Sequence, residues 1–374
     1  MKKQNIANVI LIVLLCAVMA FFSLSYVFVE QKSFSEDENR VLQTTPRFTF
    51  EKLINGTYTR QLHDYFSDQI NLRSLMVELK AVFELAMGKN ENNGILLGKD
   101  GYLIEAYHYT EDNYDYLKSN LSKIEKLMAL IEENGGSTSS VIIPRKVDVL
   151  SGNFPPYYSD ARNKAAWDIV GSKHISLTEA LEKRQKQGDY IFYKTDHHWT
   201  SSGAYYGYRA LADILGFLPY PESRFNVTAL SNEFYGTTYS KSGFFFVDPD
   251  TISAPAIESG RYTTTIVDID LSFDGLYDTS YLSKKDKYST FLSGNNAHVK
   301  IVDNEENDKE TLLIIKDSYS HALAPYLCEH YNLELIDPRY FTGSIENYII
   351  ENDIKNVLFL FGLDTLASAN ISIR

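Results

Sequence analysis

The run Tyr193-Lys194-Thr195-Asp196-His197-His198-Trp199-Thr200 sets an acid two residues before an imidazole, with an indole directly behind. In an extended segment, side chains at i and i+2 share a face. The spacing therefore predicts Asp196 against His198, with His197 pointing the other way. A carboxylate so placed takes the Nδ1–H, fixes the tautomer and leaves Nε2 free to accept a proton. That is a general base with its orienting acid, and it needs a nucleophile. Leu312-Leu313-Ile314-Ile315-Lys316-Asp317-Ser318-Tyr319-Ser320 offers one in Ser318, 120 residues after His198. Ser318 stands just past a predicted buried strand and at the start of a helix, where free N–H groups and the positive dipole end gather. A hydroxyl there can attack a carbonyl while its own N–H holds the oxyanion. Asp317 and Ser318 are also preferred helix caps, and capping alone is the competing role. His321, at i+3 from Ser318, is an alternative base or a surface histidine.

The elements around these motifs alternate. Val141-Ile142-Ile143 reads as a strand ending in Pro144-Arg145-Lys146, Leu177 to Gln187 as a helix, and Asp189 to Tyr193 as the strand that delivers Asp196 and His198. Ser201 to Leu215 is helical and stops at Gly216. Thr311 to Ile315, Leu333 to Ile336 and Asn356 to Phe361 read as strands, separated by helices over Tyr319 to Tyr331 and Ser344 to Glu351. This predicts βαβ units: an α/β fold with a parallel sheet and helices on both faces. Further upstream, Ile95 to Ile104 reads as two short strands around an Asp-Gly turn, and Tyr116 to Glu133 as a helix stopped by Asn134-Gly135-Gly136. Residues 217–300 read as an irregular strand-rich insertion, with Thr264 to Ile269 a strand. In a helical stalk over residues 30–92, Leu72, Leu75, Met76, Leu79, Val82 and Phe83 recur at helical spacing, which predicts a helix packed on its own domain. The main domain is expected over residues 93–374.

Composition sets the surroundings. Ile6 to Val29 carries no charge over 24 residues, follows Lys2 and Lys3, and is long enough to cross a bilayer. It predicts a retained anchor with the N-terminus in the cytoplasm and the rest outside; a cleaved signal peptide is the competing reading. The 44% hydrophobic fraction is that of a folded globular chain, and the net charge of −13 argues against nucleic acid. Cys16 lies in the apolar run and Cys328 far beyond it, so no disulfide is expected. Adjacent histidines seldom ligate one ion from a strand, and no distant third ligand stands out, so neither metal nor cofactor is expected.

The Asp196-His197-His198-Trp199 motif resembles the signature of the DHHW proteins, relatives of the alginate O-acetylation proteins. Further segments are similar in order: Ser35-Glu36-Asp37-Glu38-Asn39-Arg40 with Pro46, Tyr65-Phe66-Ser67-Asp68-Gln69 with Arg73, Ile143-Pro144 with Lys146, and Thr200 with Gly203-Ala204. Asp286-Lys287-Tyr288 with Phe291, Leu292, Gly294 and Asn295 continues the series. The resemblance implies a circularly permuted SGNH-hydrolase-like domain with Ser318 as nucleophile, His198 as base and Asp196 as its acid. It implies O-acetylation of a cell-surface or secreted polysaccharide, with a multipass membrane O-acyltransferase as the acetyl-donating partner. Trp199, Arg145 and Tyr319 are the candidate substrate contacts. An esterase with the same triad, and a non-catalytic glycan-binding scaffold, are the other classes. Two positions depart from the family pattern. Lys316 stands where a glycine is usual, and Asp364, in Gly362-Leu363-Asp364-Thr365, stands where an asparagine would donate to the oxyanion.

Overall fold

The computed structural model describes residues 2–28, 30–35, 40–155, 158 and 161–373. Val29, at the end of the apolar run, and Glu36, Asp37, Glu38 and Asn39 of the juxtamembrane motif lie outside the described residues. The chain divides into two compact units, Met1–Lys89 with Gly243–Phe245, and Asn90–Ser242 with Phe246–Arg374.

The first unit is helical. Its helix α1, Lys2–Phe28, contains the apolar window Ile6–Leu24, none of it buried, which is long enough to cross a membrane. Helices α2, Thr57–Gln69, and α3, Arg73–Ala86, follow. The apolar residues of α3 were expected to pack inward, yet Leu72, Leu75, Leu79, Val82 and Phe83 are exposed. Ala81 is the residue of α3 that the unit buries.

The second unit is built on one sheet. Its strands are β1 (Ser137–Ile143), β2 (Ile175–Ser176), β3 (Tyr262–Ile266), β4 (Leu271–Asp274), β5 (His298–Asp303), β6 (Thr311–Lys316), β7 (Asn332–Ile336) and β8 (Asn356–Gly362). Their order across the sheet is β4-β3-β5-β7-β6-β8-β1-β2. The run β7-β6-β8-β1-β2 is parallel, whereas β5, β3 and β4 add antiparallel. The sheet is therefore mixed. Residues 217–300, expected as an insertion, furnish β3, β4 and the start of β5 and so extend the sheet itself.

Successive residues of the central strands feed two cores, because strand side chains alternate between faces. Val141, Leu312, Ile314, Leu358 and Leu360 pack with helices α6 (Thr178–Lys186), α7 (Ser201–Leu215) and α8 (Tyr319–Leu327). Ile142, Leu313, Ile315, Val357 and Phe359 pack with α4 (Glu111–Glu133), α5 (Ala161–Val170) and α9 (Ile345–Glu351). Burial on both faces explains the near-continuous apolar runs of β6 and β8. Helix α7 has the expected bounds, its Thr200 side chain accepting from the Gly203 N–H and Gly216 closing it at φ +77°. Helix α8 is shorter than the sequence suggests, ending at Leu327. The expected strand Asp189 to Tyr193 does not form; a single bridge from Phe192 to Trp199 closes a bent loop instead.

Candidate active site

Ser318 follows β6 at the carboxyl edge of the parallel strands, beside the end of β8. Sequence neighbours β6 and β7 pair, and the chain then crosses back over β6 to form β8, so this edge is a topological switch point. Asp317 performs the capping. Its carboxylate accepts from the Tyr319 N–H at 3.0 Å and the Gly362 N–H at 2.7 Å, tying the start of α8 to the end of β8. Ser318 occupies the N-cap position without a side-chain capping bond. Its Oγ lies 2.7 Å from His198 Nε2 instead.

The imidazole is held from every side. Asp196 Oδ1 accepts from the His198 backbone N–H at 3.0 Å and lies 2.6 Å from Nδ1. Asp196 Oδ2 accepts from the Thr237 N–H at 2.7 Å and from the Thr237 hydroxyl at 3.0 Å. Burial disfavours the Asp196 charge, but His197, His198 and the Thr237 N–H outweigh it and hold the carboxyl well below the usual carboxylate range. Tyr288 stacks on the His198 ring at 3.8 Å and 7°, and its hydroxyl donates to the Ser318 carbonyl at 3.2 Å. His197 lies 3.8 Å from the same ring, tilted by 37°. Two rings cannot share one face at that distance, so Tyr288 and His197 sandwich the His198 imidazole.

This corrects the expected placement of His197. Residues 194–198 bend rather than extend, so the i, i+2 rule of a strand does not govern them. Asp196 reaches His198 through a side-chain-to-backbone turn. His197 Nδ1 sits 2.7 Å from Thr237 Oγ1 and 3.6 Å from Asp196 Oδ1, and burial lowers its pKa. Asp250 pins the loop, accepting from the Thr195 N–H at 2.8 Å and the Lys194 N–H at 3.0 Å. Lys146 Nζ donates to the Leu103 carbonyl at 2.7 Å and the Lys194 carbonyl at 3.3 Å, and its burial brings the amine down to about 8.

The three expected substrate contacts are enclosed. Trp199 is fully buried, donates from Nε1 to the Tyr319 carbonyl at 3.0 Å and packs on Gly203 and Gly207, which makes it an anchor between the two motifs. Arg145 is fully buried in a two-pronged ion pair with Asp148, with the Tyr107 and Tyr109 rings 4.8 and 5.0 Å away. Tyr319 is buried with its hydroxyl on the His197 carbonyl at 2.9 Å. Trp199 and Tyr319 spend their polar groups on the protein and Arg145 spends Nε and Nη2 on Asp148, leaving a buried Nη1 with no hydrogen-bond partner among the described residues.

His321 is buried rather than superficial. Its Nε2 accepts from Lys316 Nζ at 2.8 Å, and burial beside that lysine holds the ring well below the usual histidine range. Lys316 also reaches Asp337 Oδ2 at 3.4 Å, so it fills the glycine position as part of a buried cluster. Asp364 has a buried Oδ1 with no hydrogen-bond partner among the described residues, and burial raises its carboxyl. Asp196, His197 and His198 present ligand atoms within 4.8 Å of one another. A metal held by Asp196 Oδ1 and the two Nδ1 atoms would compete with the bonds of His198 to Asp196 and of His197 to Thr237. Thr237 and Tyr288 lie 41 residues after Asp196 and 30 before Ser318, and only the assignment of Asp286-Lys287-Tyr288 to a familiar pattern pointed toward either.

The fold is a mixed α/β domain on a large, mostly parallel sheet, with Asp196 and His198 ahead of Ser318 along the chain. Residues 170–336 match the DHHW protein family, so the resemblance seen in the sequence holds. A probable alginate O-acetylase AlgJ of Pseudomonas syringae pv. tomato is 25% identical over 172 residues, which are 41% of this chain and 41% of that protein. The chain thus matches well under half the length of that curated relative. A DHHW family protein from Eubacterium siraeum superposes with a TM-score of 0.60 at 24% identity, covering 75% of this chain and 94% of that one. Bacillus cereus PatB1, solved with a sulfonyl adduct, superposes with a TM-score of 0.61 at 18% identity over 75% of this chain and 98% of its own.

Proposed function

We propose that the protein is a membrane-anchored serine O-acetyltransferase that modifies a polysaccharide outside the cytoplasm, with Ser318 as nucleophile, His198 as base and Asp196 as orienting acid. The observation that carries this reading is the unbroken hydrogen-bonded line from Asp196 through His198 to Ser318 Oγ. The relatives named as O-acetylases point to the same acyl transfer. In the first half-reaction His198 Nε2 takes the Ser318 proton and Oγ bonds to the acetyl carbonyl carbon. The donor's leaving group departs with that proton, leaving acetyl-Ser318. In the second, His198 deprotonates a sugar hydroxyl, whose oxygen attacks the same carbon, and the proton returns to Ser318 Oγ. The Ser318 N–H, which has no hydrogen-bond partner among the described residues, is the candidate oxyanion donor. A multipass membrane O-acyltransferase would deliver acetyl groups to this side of the bilayer, and α1 would hold the enzyme there with its N-terminus in the cytoplasm.

The test is covalent. Full-length protein incubated with p-nitrophenyl acetate should yield a peptide acetylated at Ser318, and Ser318→Ala should yield none while melting as the wild type does. Adding the right oligosaccharide should divert acetyl from water to sugar. Equal nitrophenol release by wild type and Ser318→Ala would refute the enzyme and leave a binding scaffold.

A further inference from the structure

Helix α3 leaves a continuous apolar stripe uncovered. At about 100° per residue, Leu75, Leu79, Val82, Phe83 and Ala86 fall within an arc of roughly 100°. Leu75, Leu79, Val82 and Phe83 are 47%, 59%, 40% and 66% exposed. The opposite side carries the buried Ala81 and the half-buried Val77 and Leu85. Met87, just past the helix, and Ile54, before α2, are 71% and 76% exposed. Scattered exposed apolar residues need no explanation, but an unbroken stripe marks a surface that something covers.

We propose that this stripe lies in the boundary between headgroups and acyl chains of the bilayer that α1 enters, making α3 an interfacial helix. This rests on the anchor reading of α1 and not on the catalytic assignment. The unit is fastened to the outer end of α1. The Tyr26 ring meets Phe66 of α2 edge-on at 5.1 Å, and the Gln69 side chain accepts from the Lys32 N–H at 3.0 Å and donates to its carbonyl at 2.8 Å. Leu72 and Leu75 line a cavity of about 570 Å³ together with Glu30, Lys32 and Phe34, the residues directly past the span. The first turn of α3 therefore sits at the level where α1 leaves the membrane. Charge fits as well. Residues 30–89 hold eight Lys and Arg against nine Asp and Glu, so nearly all of the net −13 lies elsewhere and this unit is not repelled by anionic lipid. The exposed Lys80 lies beside the Phe83 edge of the stripe, where an interfacial helix carries headgroup-facing cations, whereas Arg73 donates to the Ser67 carbonyl at 2.8 Å.

The test uses the full chain in vesicles of phosphatidylcholine and phosphatidylglycerol. A Cys16→Ser background, in which the remaining Cys328 is buried, receives Leu79→Cys or Glu84→Cys and an environment-sensitive fluorophore. Leu79 lies mid-stripe and Glu84 on the far side. Lipid-borne nitroxide near the headgroup should quench the Leu79 label severalfold more than the Glu84 label, and the Leu79 emission should be blue-shifted. Equal, water-like signals from both labels overturn the proposal. A blue-shifted Leu79 label that nitroxide spares, with energy transfer between chains, would also overturn it and assign the stripe to a second copy. Flotation reports the anchor separately: protein that stays behind when vesicles float overturns both readings.

Discussion

Replacing Asp196 by asparagine isolates the part of the site that sets the imidazole tautomer. The carboxylate accepts four hydrogen bonds, two from His198 at 2.6 and 3.0 Å and two from Thr237 at 2.7 and 3.0 Å. An amide of the same shape has one accepting oxygen and one donating nitrogen. With the oxygen kept on the Thr237 N–H, the amide nitrogen faces His198, leaves the His198 backbone N–H without its acceptor and donates to Nδ1. The imidazole proton then moves to Nε2, where it blocks transfer from Ser318. With the groups reversed, the amide N–H meets the Thr237 N–H and a buried donor is lost. A mis-set tautomer in a serine triad costs about 10⁴-fold in rate, or about 5.5 kcal/mol of transition-state stabilisation. Stopped-flow acylation by p-nitrophenyl acetate should show that loss in Asp196→Asn. ¹⁵N shifts of the His198 ring should report the change to Nε2–H. A variant that acylates within tenfold of wild type with Nδ1–H retained would refute the tautomer argument.

Tyr288→Phe keeps the ring on His198 and should acylate within about twofold of wild type, whereas Tyr288→Leu removes a stack worth about 1 kcal/mol and should lose about fivefold; equal rates for the two would deny the sandwich a role. A methyl added at Gly236 would lie 2.2 Å from Asp196 Cβ, so Gly236→Ala must displace the carboxylate. A shift near 1 Å there should cost about 10²-fold in acylation, read by the same assay, while overpacking lowers the melt. Glu334 lies 2.8 Å from Lys300 and accepts from Tyr348 at 2.6 Å; although burial opposes its charge, these partners and His298 bring its carboxyl down to about 2 from 4.5. A lowered folded-state pKa contributes stability that is full above pH 4.5 and lost as the pH falls toward 2. Glu334→Gln should therefore be about 2–3 kcal/mol less stable at pH 7, by urea melts, with the gap closing near pH 2; a gap independent of pH would contradict the assignment.

Local pattern carried much of this protein. Thr200 as cap and Gly216 as stop delimit α7 because both signals act within a few residues, and the apolar runs of β6 and β8 announce strands buried on both faces. The order of Asp196, His198 and Ser318 along the chain was enough to propose their chemistry. What the sequence could not decide depends on contacts across long separations. The strand expected at Asp189 to Tyr193 does not form, and the bend that follows it is held at Lys194 and Thr195 by Asp250 and Lys146 from elsewhere in the chain. That bend turns His197 onto His198, and it brings Thr237 under Asp196. The indole of Trp199 and the guanidinium of Arg145 suit a substrate surface equally well by type, and only packing shows them enclosed. In α3 the periodicity identified the apolar stripe correctly but not its direction, since helical spacing specifies a face and only tertiary structure says what that face meets.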